Sequence, residues 1–291
     1  MDSRTAEQVE RAEWIERAAY CDLLACGGSP LLQRRLGLSV AHCGPSLVLR
    51  SRGVDSLLFN RAFGLEVGLP DAGSLAESIV ARYRAQDIGR YLLHLSAALP
   101  DGPLRPQLAS LGLARYPRSW HVLVRGREPV RQAVPRWAPW SVERASRRDA
   151  VAVAMLMLAG FELPDCAGPV IASSVGAPRW HTYIARDDAG ALAAAMLMYA
   201  DAELAHVTMM ATASGHRRRG AQCALLAQGL SVALDLGCRQ ISAETGVVLA
   251  GEPNPSHDNL ERAGFRVAHL RENWAPRGTR WSAAEGTRVA K

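Results

Sequence analysis

Lysine is almost missing from this 291-residue chain: Lys291 is the only one among 34 basic residues. The Gly-x-x-x-x-Gly-Lys-Ser/Thr pattern is absent too, which excludes a nucleotide-triphosphate loop. Gly-x-Gly-x-x-Gly is also missing, and a dinucleotide fingerprint goes with it. No apolar run reaches the roughly 18 residues of a membrane span; Ala191 to Ala200 comes nearest. The N-terminus carries Asp2, Glu7, Glu10 and Glu13 where a secretory signal needs basic and then apolar residues. A cytoplasmic protein without membrane contact is expected. Cys21, Cys26, Cys43, Cys166, Cys223 and Cys238 form no Cys-x-x-Cys pair and no His-partnered spacing. Reduced thiols, with neither disulfides nor a metal site, follow from that pattern.

What is present suits a globular protein of two ordinary domains. Hydrophobic residues make up 48 % of the chain and charged ones 21 %, enough for buried cores without a disordered excess of charge. The net charge of +6 comes from arginines scattered among acids, Arg217 to Arg219 excepted. Such scatter argues against a nucleic-acid surface.

The chain is organised around residues 203 to 222. Glu203 to Thr212 is aliphatic and β-branched enough to read as a strand. Ser214 and Gly215 break it, three arginines follow, and Ala221 to Leu236 shows helical spacing. Strand, basic glycine loop and helix make an anion site: free N–H groups of the first helical turn and the helix dipole point into the loop. Gly220 lets the backbone come close, and Arg217, Arg218 and Arg219 supply charge suited to phosphate oxygens. A pyrophosphate is the natural guest.

Arg217-Arg218-Arg219-Gly220-Ala221-Gln222 resembles the Arg/Gln-x-x-Gly-x-Gly/Ala loop of the GNAT superfamily, the acetyl-CoA-dependent N-acyltransferases. Gln222 replaces the last glycine, which crowds the closest approach to the phosphates. A second stretch, Asn254 to Phe265, looks like that family's late helix ending in Gly-Phe. The resemblance covers about residues 141 to 275 and implies an α/β (α+β) fold with a mixed, mostly antiparallel sheet flanked by helices. A faint internal repeat, with Ser110-Leu111-Gly112-Leu113 answering Arg262-Ala263-Gly264-Phe265, makes the first half a degenerate copy. Its own loop, Pro70 to Gly73, has no arginine, so its cofactor site is expected to be lost.

The expected division is residues 1–128 as the degenerate domain, 129–140 as a Pro/Trp linker, 141–275 as the acetyltransferase domain, and 276–291 as a flexible tail. Helices are predicted over Thr5 to Leu24, capped by Thr5, from a capping box at Ser74, and over Ser141 to Leu158; strands include Ser56 to Phe63. By the resemblance, acetyl-CoA lies along Met210, Ala211 and Thr212, its pyrophosphate in Arg217 to Gln222, with Asn254 and Asn259 reaching it from the late helix. The general base is left among Glu244, Glu203 and His206. Glu203 also reads as a solvated hairpin residue and His206 as a satisfied half-buried imidazole, which puts Glu244 slightly ahead. The family's tyrosine acid is missing near Leu260, with His257 as a substitute. The acceptor is a small-molecule or peptide amine, and the alternative is an acyl-CoA-binding regulatory protein without turnover.

Overall fold

The computed structural model describes residues 3–25, 29–65, 71–96, 102–130, 140–247 and 252–280. The first half of the chain runs α1 (Ser3–Ala25), α2 (Pro30–Leu36), β1 (Ser39–Cys43), β2 (Ser46–Arg50), β3 (Arg61–Phe63), α3 (Ala72–Arg84), β4 (Leu92–Ser96), α4 (Leu104–Ser110), β5 (Leu113–Arg115) and β6 (Trp120–Arg125). The second runs β7 (Ser141–Arg144), α5 (Ala150–Phe161), α6 (Gly168–Ser174), β8 (Trp180–Arg186), β9 (Leu192–Asp201), β10 (Leu204–Thr212), α7 (Ala221–Asp235), β11 (Gln240–Gly246), α8 (Pro255–Arg262) and β12 (Arg266–Pro276).

The strands form one mixed sheet in the order β1-β2-β3-β4-β12-β6-β11-β10-β9-β8-β7, with β5 also paired to β12. Each half contains one parallel pair, β3 with β4 and β10 with β11; the other pairings are antiparallel. The repeat is therefore visible from the centre outwards. Each parallel pair is extended by a strand from the other half, β12 beside β4 and β6 beside β11. The two exchanged strands pair with each other at the middle. The linker stretch 131–139 and the end of the tail, 281–291, lie outside the described residues.

Helices cover both faces. In β9, Ala195, Leu197 and Tyr199 pack toward α1, α5 and α6, while Ala194, Met196 and Met198 pack toward α7. A strand buried on both faces has no polar side to alternate with, which explains its continuous apolar run. Helix α5 comes so close to β10 that a Cβ on Gly160 would stand 2.7 Å from the Ala211 Cβ. Among the described residues, no helix is long and apolar enough to cross a membrane.

Several local expectations need correcting. Ser141 does not cap a helix: Ser141–Arg144 is an edge strand on β8, and the helix starts only at Ala150. The Asp149 carboxylate accepts from both the backbone N–H and the hydroxyl of Ser146, each at 2.8 Å, and that turn separates strand from helix. Only Arg61–Phe63 of the Ser56 to Phe63 segment is strand. Asn60 folds the rest into a turn, accepting from the Ser51 N–H at 2.7 Å and donating to the Val54 carbonyl at 3.0 Å. Helix α1 is already under way at Ser3, and α3 starts at Ala72, so neither Thr5 nor Ser74 is a cap.

Helix α1 crosses the junction of the halves, packing on β10, β11, β6 and β12. Its buried side carries Glu13 and Glu16 among apolar Ala12, Ile15 and Ala19. Arg271 of β12 answers both, donating to Glu16 at 3.1 and 2.8 Å and to Glu13 at 2.5 Å. Truncating one partner of such a cluster strands the rest in a low-dielectric interior. Arg271→Met is expected to lower stability by about 3–5 kcal/mol, read from urea denaturation; a loss no larger than that of a surface arginine would contradict this.

Candidate active site

The site forms where two parallel strands part. Strands β10 and β11 are in register from Leu204 opposite Gln240 to Val207 opposite Ala243, and no further. Beyond that point β10 shifts register against β9 between Val207 and Met209, leaving Thr208 as an extra residue. Such a bulge bends its strand. Glu244, Thr245 and Gly246 of β11 meanwhile pair with Val122, His121 and Trp120 of the exchanged strand β6. A cleft of about 150 Å³ opens between the strands.

The cleft reaches both faces of the sheet. Gln222 of α7, with Ser256 and Leu260 of α8, borders it on one face. On the other it meets Tyr20 of α1, Leu58, and Gly160 and Phe161 of α5. The Thr208 hydroxyl, in the seam, is buried without a hydrogen-bond partner. A larger hollow of about 560 Å³, lined by Asp55, Arg90, Arg277 and Arg280 among others, lies apart from this gap.

Glu244 is the carboxylate of the seam, with a side chain 12 % exposed. Arg61 Nη1 donates to its Oε1 at 3.1 Å, and Arg271 Nη1 donates to its Oε2. Arg61 also lies 3.6 Å from Glu16 and stacks 3.9 Å from the centre of the Tyr20 ring. Glu13, Glu16 and Glu244 share these two guanidiniums, and Glu13 has Arg17 at 3.4 Å and His269 at 3.0 Å besides. At Glu244, burial and the charge of Glu16 outweigh Arg61 and Arg271 and push it up to about 7. Burial acts on Glu16 in the same direction, but Arg271 and Arg61 overcome it and hold that group at about 2. Burial also raises the Tyr20 phenol, which keeps its proton at neutral pH.

The other two base candidates are elsewhere. Glu203 sits in the β9–β10 turn, 52 % exposed and ion-paired with Arg239 at 3.0 Å. His206 is buried on the α1 face, where its Nδ1 is 2.9 Å from the Ser242 hydroxyl. Burial, then the nearby Arg61 and Arg271, lower it to about 4, so it is neutral. Neither lines the cleft. His257, the substitute acid, is buried in α8 with its ring 5.2 Å from that of His121, also outside the lining.

Met210 lines the cleft, and Ala211 and Thr212 continue β10 past its last pairing with β11. The loop then turns through Arg218 at φ +60° and Gly220 at φ +82°. Arg217, Arg218 and Arg219 are exposed, and no side chain caps α7, whose first residue is Ala221. Trp140 fastens the loop, donating from Nε1 to the Arg219 carbonyl at 2.8 Å. Gln222 points across to α8, accepting from Asn259 Nδ2 at 2.6 Å and donating to the Ser256 hydroxyl at 3.4 Å. Asn259 thus stands at the groove but is engaged with Gln222. Asn254 is a structural cap: its Oδ1 accepts from the His257 N–H at 3.2 Å and its Nδ2 donates to the Gly246 carbonyl at 2.6 Å. The two arginines, Tyr20, Trp120, Thr208 and Ser256 escaped the sequence reading. The one signal for them was two acids on the apolar stripe of α1.

No family model and no curated protein matches the chain. Solved structures do. A GCN5-related N-acetyltransferase from Kribbella flavida aligns at TM-score 0.60 and 17 % identity, over 85 % of this chain and 95 % of its own. A GCN5-related N-acetyltransferase from Sphaerobacter thermophilus aligns at 0.55 and 14 %, over 90 % of each chain. A tandem GNAT protein from the clavulanic acid biosynthesis pathway aligns at 0.53 and 17 %, over 92 % of this chain and 95 % of its own. With the paired halves described above, these place the chain in the GNAT fold, in its tandem form.

Glu244 and His206 titrate in opposite senses, and burial lowers His94 in the same direction as His206. Glu244 rises from 4.5 to about 7, so its contribution to stability is full below 4.5 and lost as pH rises to about 7. His206 falls from 6.5 to about 4, so its contribution is present above 6.5 and lost as pH drops toward about 4. Between 4.5 and 6.5 the slopes oppose. Glu244→Gln removes only the first. In a thermal-melt series across that window, the variant should lose more Tm on acidification than the parent, in which Glu244 offsets part of the histidine loss; matching slopes would show that Glu244 titrates normally.

Proposed function

We propose that this protein is an acetyl-CoA-dependent N-acetyltransferase acting on a primary amine by direct attack. The observation that carries the reading is Glu244: a carboxylate near 7 in a cleft that opens to both faces of the sheet. A base poised near neutral pH takes a proton from an ammonium group and remains partly ionised at the working pH. The GNAT fold supports the reading, since two substrates can meet through the seam from opposite faces.

The residues fit the acyl donor at three points. The uncapped start of α7 and the Arg217 to Gly220 loop suit a pyrophosphate. The unpaired edge of β10 from Thr208 to Thr212 offers backbone groups to a pantetheine amide. The orphan Thr208 hydroxyl offers a donor in the seam. Acetyl-CoA supplies the acyl group as a thioester, whose C–S bond breaks as the amine's C–N bond forms. Glu244 takes the proton that the amine nitrogen loses. Burial raises the Tyr20 phenol, which makes it a weak proton donor to the leaving thiolate. A thiol of ordinary pKa, about 8.5, also leaves without one. Arg61 and Arg271 hold the Glu244 carboxylate in place.

Calorimetry and a thiol-release assay test this together. Glu244→Gln should keep acetyl-CoA binding and lose about 10²–10⁴-fold in kcat/KM, along with the pH–rate limb near 7. Gly220→Trp should lose binding. Undiminished turnover in Glu244→Gln removes the base, and no acetyl-CoA binding to the parent removes the whole reading.

A second reading, an acyl-CoA-binding protein without turnover, is favoured by the Gln222 amide that bridges α7 to α8 at the groove. If that bridge obstructs the cofactor, Gln222→Gly should bind acetyl-CoA several-fold more tightly and gain activity. Weaker binding would instead make the amide a cofactor contact.

A further inference from the structure

We infer that the acceptor is a small primary amine with an aromatic or apolar body and no acidic group; this rests on the acetyltransferase reading above. Size sets the first limit. At about 150 Å³ the cleft is well below the ~300 Å³ at which ordinary ligand pockets begin. The acyl group must share that space with the acceptor's reacting end. That space limits bulk beside the reacting amine, while the body of the acceptor extends toward the open α1–α5 face.

The walls set the second. On the α1–α5 face the cleft is bounded by Tyr20, Leu58 and Phe161, with Trp120 in the seam. Three rings and an aliphatic side chain favour an apolar body, and ring faces also attract an ammonium group.

Charge sets the third. Among the described residues that line the cleft, only Glu244 and Tyr20 ionise, and none is basic. The two nearest guanidiniums are unavailable to a substrate. Arg61 has no exposed side-chain surface and lies under the Tyr20 ring, with Phe63 and Trp120 also within reach of its charge. Arg271 is 1 % exposed and donates to Glu13, Glu16 and Glu244. An ionised Glu244 in the lining draws an ammonium, and no basic residue of the lining opposes it. A carboxylate one carbon from the amine would face Glu244 with no cation to pair, a like-charge contact of the kind that rejects wrong partners. Recognition of an amino acid needs a free guanidinium or comparable donor here, and the cleft offers none.

The test uses the whole protein, acetyl-CoA and matched acceptor pairs: phenethylamine against phenylalanine, and tyramine against tyrosine. Thiol release gives kcat/KM for each, and calorimetry first establishes that acetyl-CoA binds. The acid-free member of each pair should exceed its amino acid by at least ~100-fold. Equal or better use of the amino acids overturns the inference and leaves the acetyltransferase reading standing. Bound acetyl-CoA with no member of either pair acetylated also overturns it. Absence of acetyl-CoA binding brings down the acetyltransferase reading itself, and the inference with it.

Discussion

The structure depends on two buried guanidiniums shared by three carboxylates. Arg271 belongs to the last strand, Arg61 to an early one, Glu13 and Glu16 to the first helix, and Glu244 to the strand beside the cleft. Two of these elements, α1 and β3, come from the first quarter of the chain, and two, β11 and β12, from the last. The cluster therefore holds together pieces that sequence keeps far apart. Charged groups out of water are costly unless each finds a partner, so the cluster forms only when both halves are assembled. Within that same cluster, burial and the charge of Glu16 outweigh the two guanidiniums at Glu244 and raise it to about 7.

Strand exchange sets that cluster in place. Because β6 borders β11, the residues after Ala243 have a partner other than β10 and can turn away from it. The bulge at Thr208 bends β10 the other way. Splaying at this point makes an opening through the sheet, with α7 and α8 on one side and α1 and α5 on the other. The first half of the chain contributes Tyr20, Leu58, Arg61 and Trp120 to this region, so its role goes beyond packing. Its own helix start at α3 is covered, Gln107 of α4 lying against Gly73.

Some of this was legible in the residues. The strand from 204 to 212, the turn at Gly220 and helix α7 came out nearly as read, because a β-branched run, a glycine and an apolar period are local signals. The turn between β8 and β9 is a local matter too: the Asp187 carboxylate closes it by accepting from the N–H groups of Ala189 and Ala191. Ser141 misled: a serine before an apolar run suits a cap, yet its neighbours found an open edge on β8, and pairing there took precedence. Among the base candidates Glu203, His206 and Glu244, the sequence put Glu244 only slightly ahead. Their surroundings separate them, with water and Arg239 around the first, Ser242 beside the second, and a charge cluster around the third.

The sequence by itself determined the strand, basic loop and helix, and through them the class of fold, because hydrogen bonding, chirality and side-chain periodicity act between near neighbours. Only the tertiary structure decided which carboxylate faces the cleft and what its proton affinity is. Arg61 and Glu244 are 183 residues apart in the chain and 3.1 Å apart in space. Burial and charge pairing act across that short distance, and neither leaves a mark on the residues beside Glu244 in sequence.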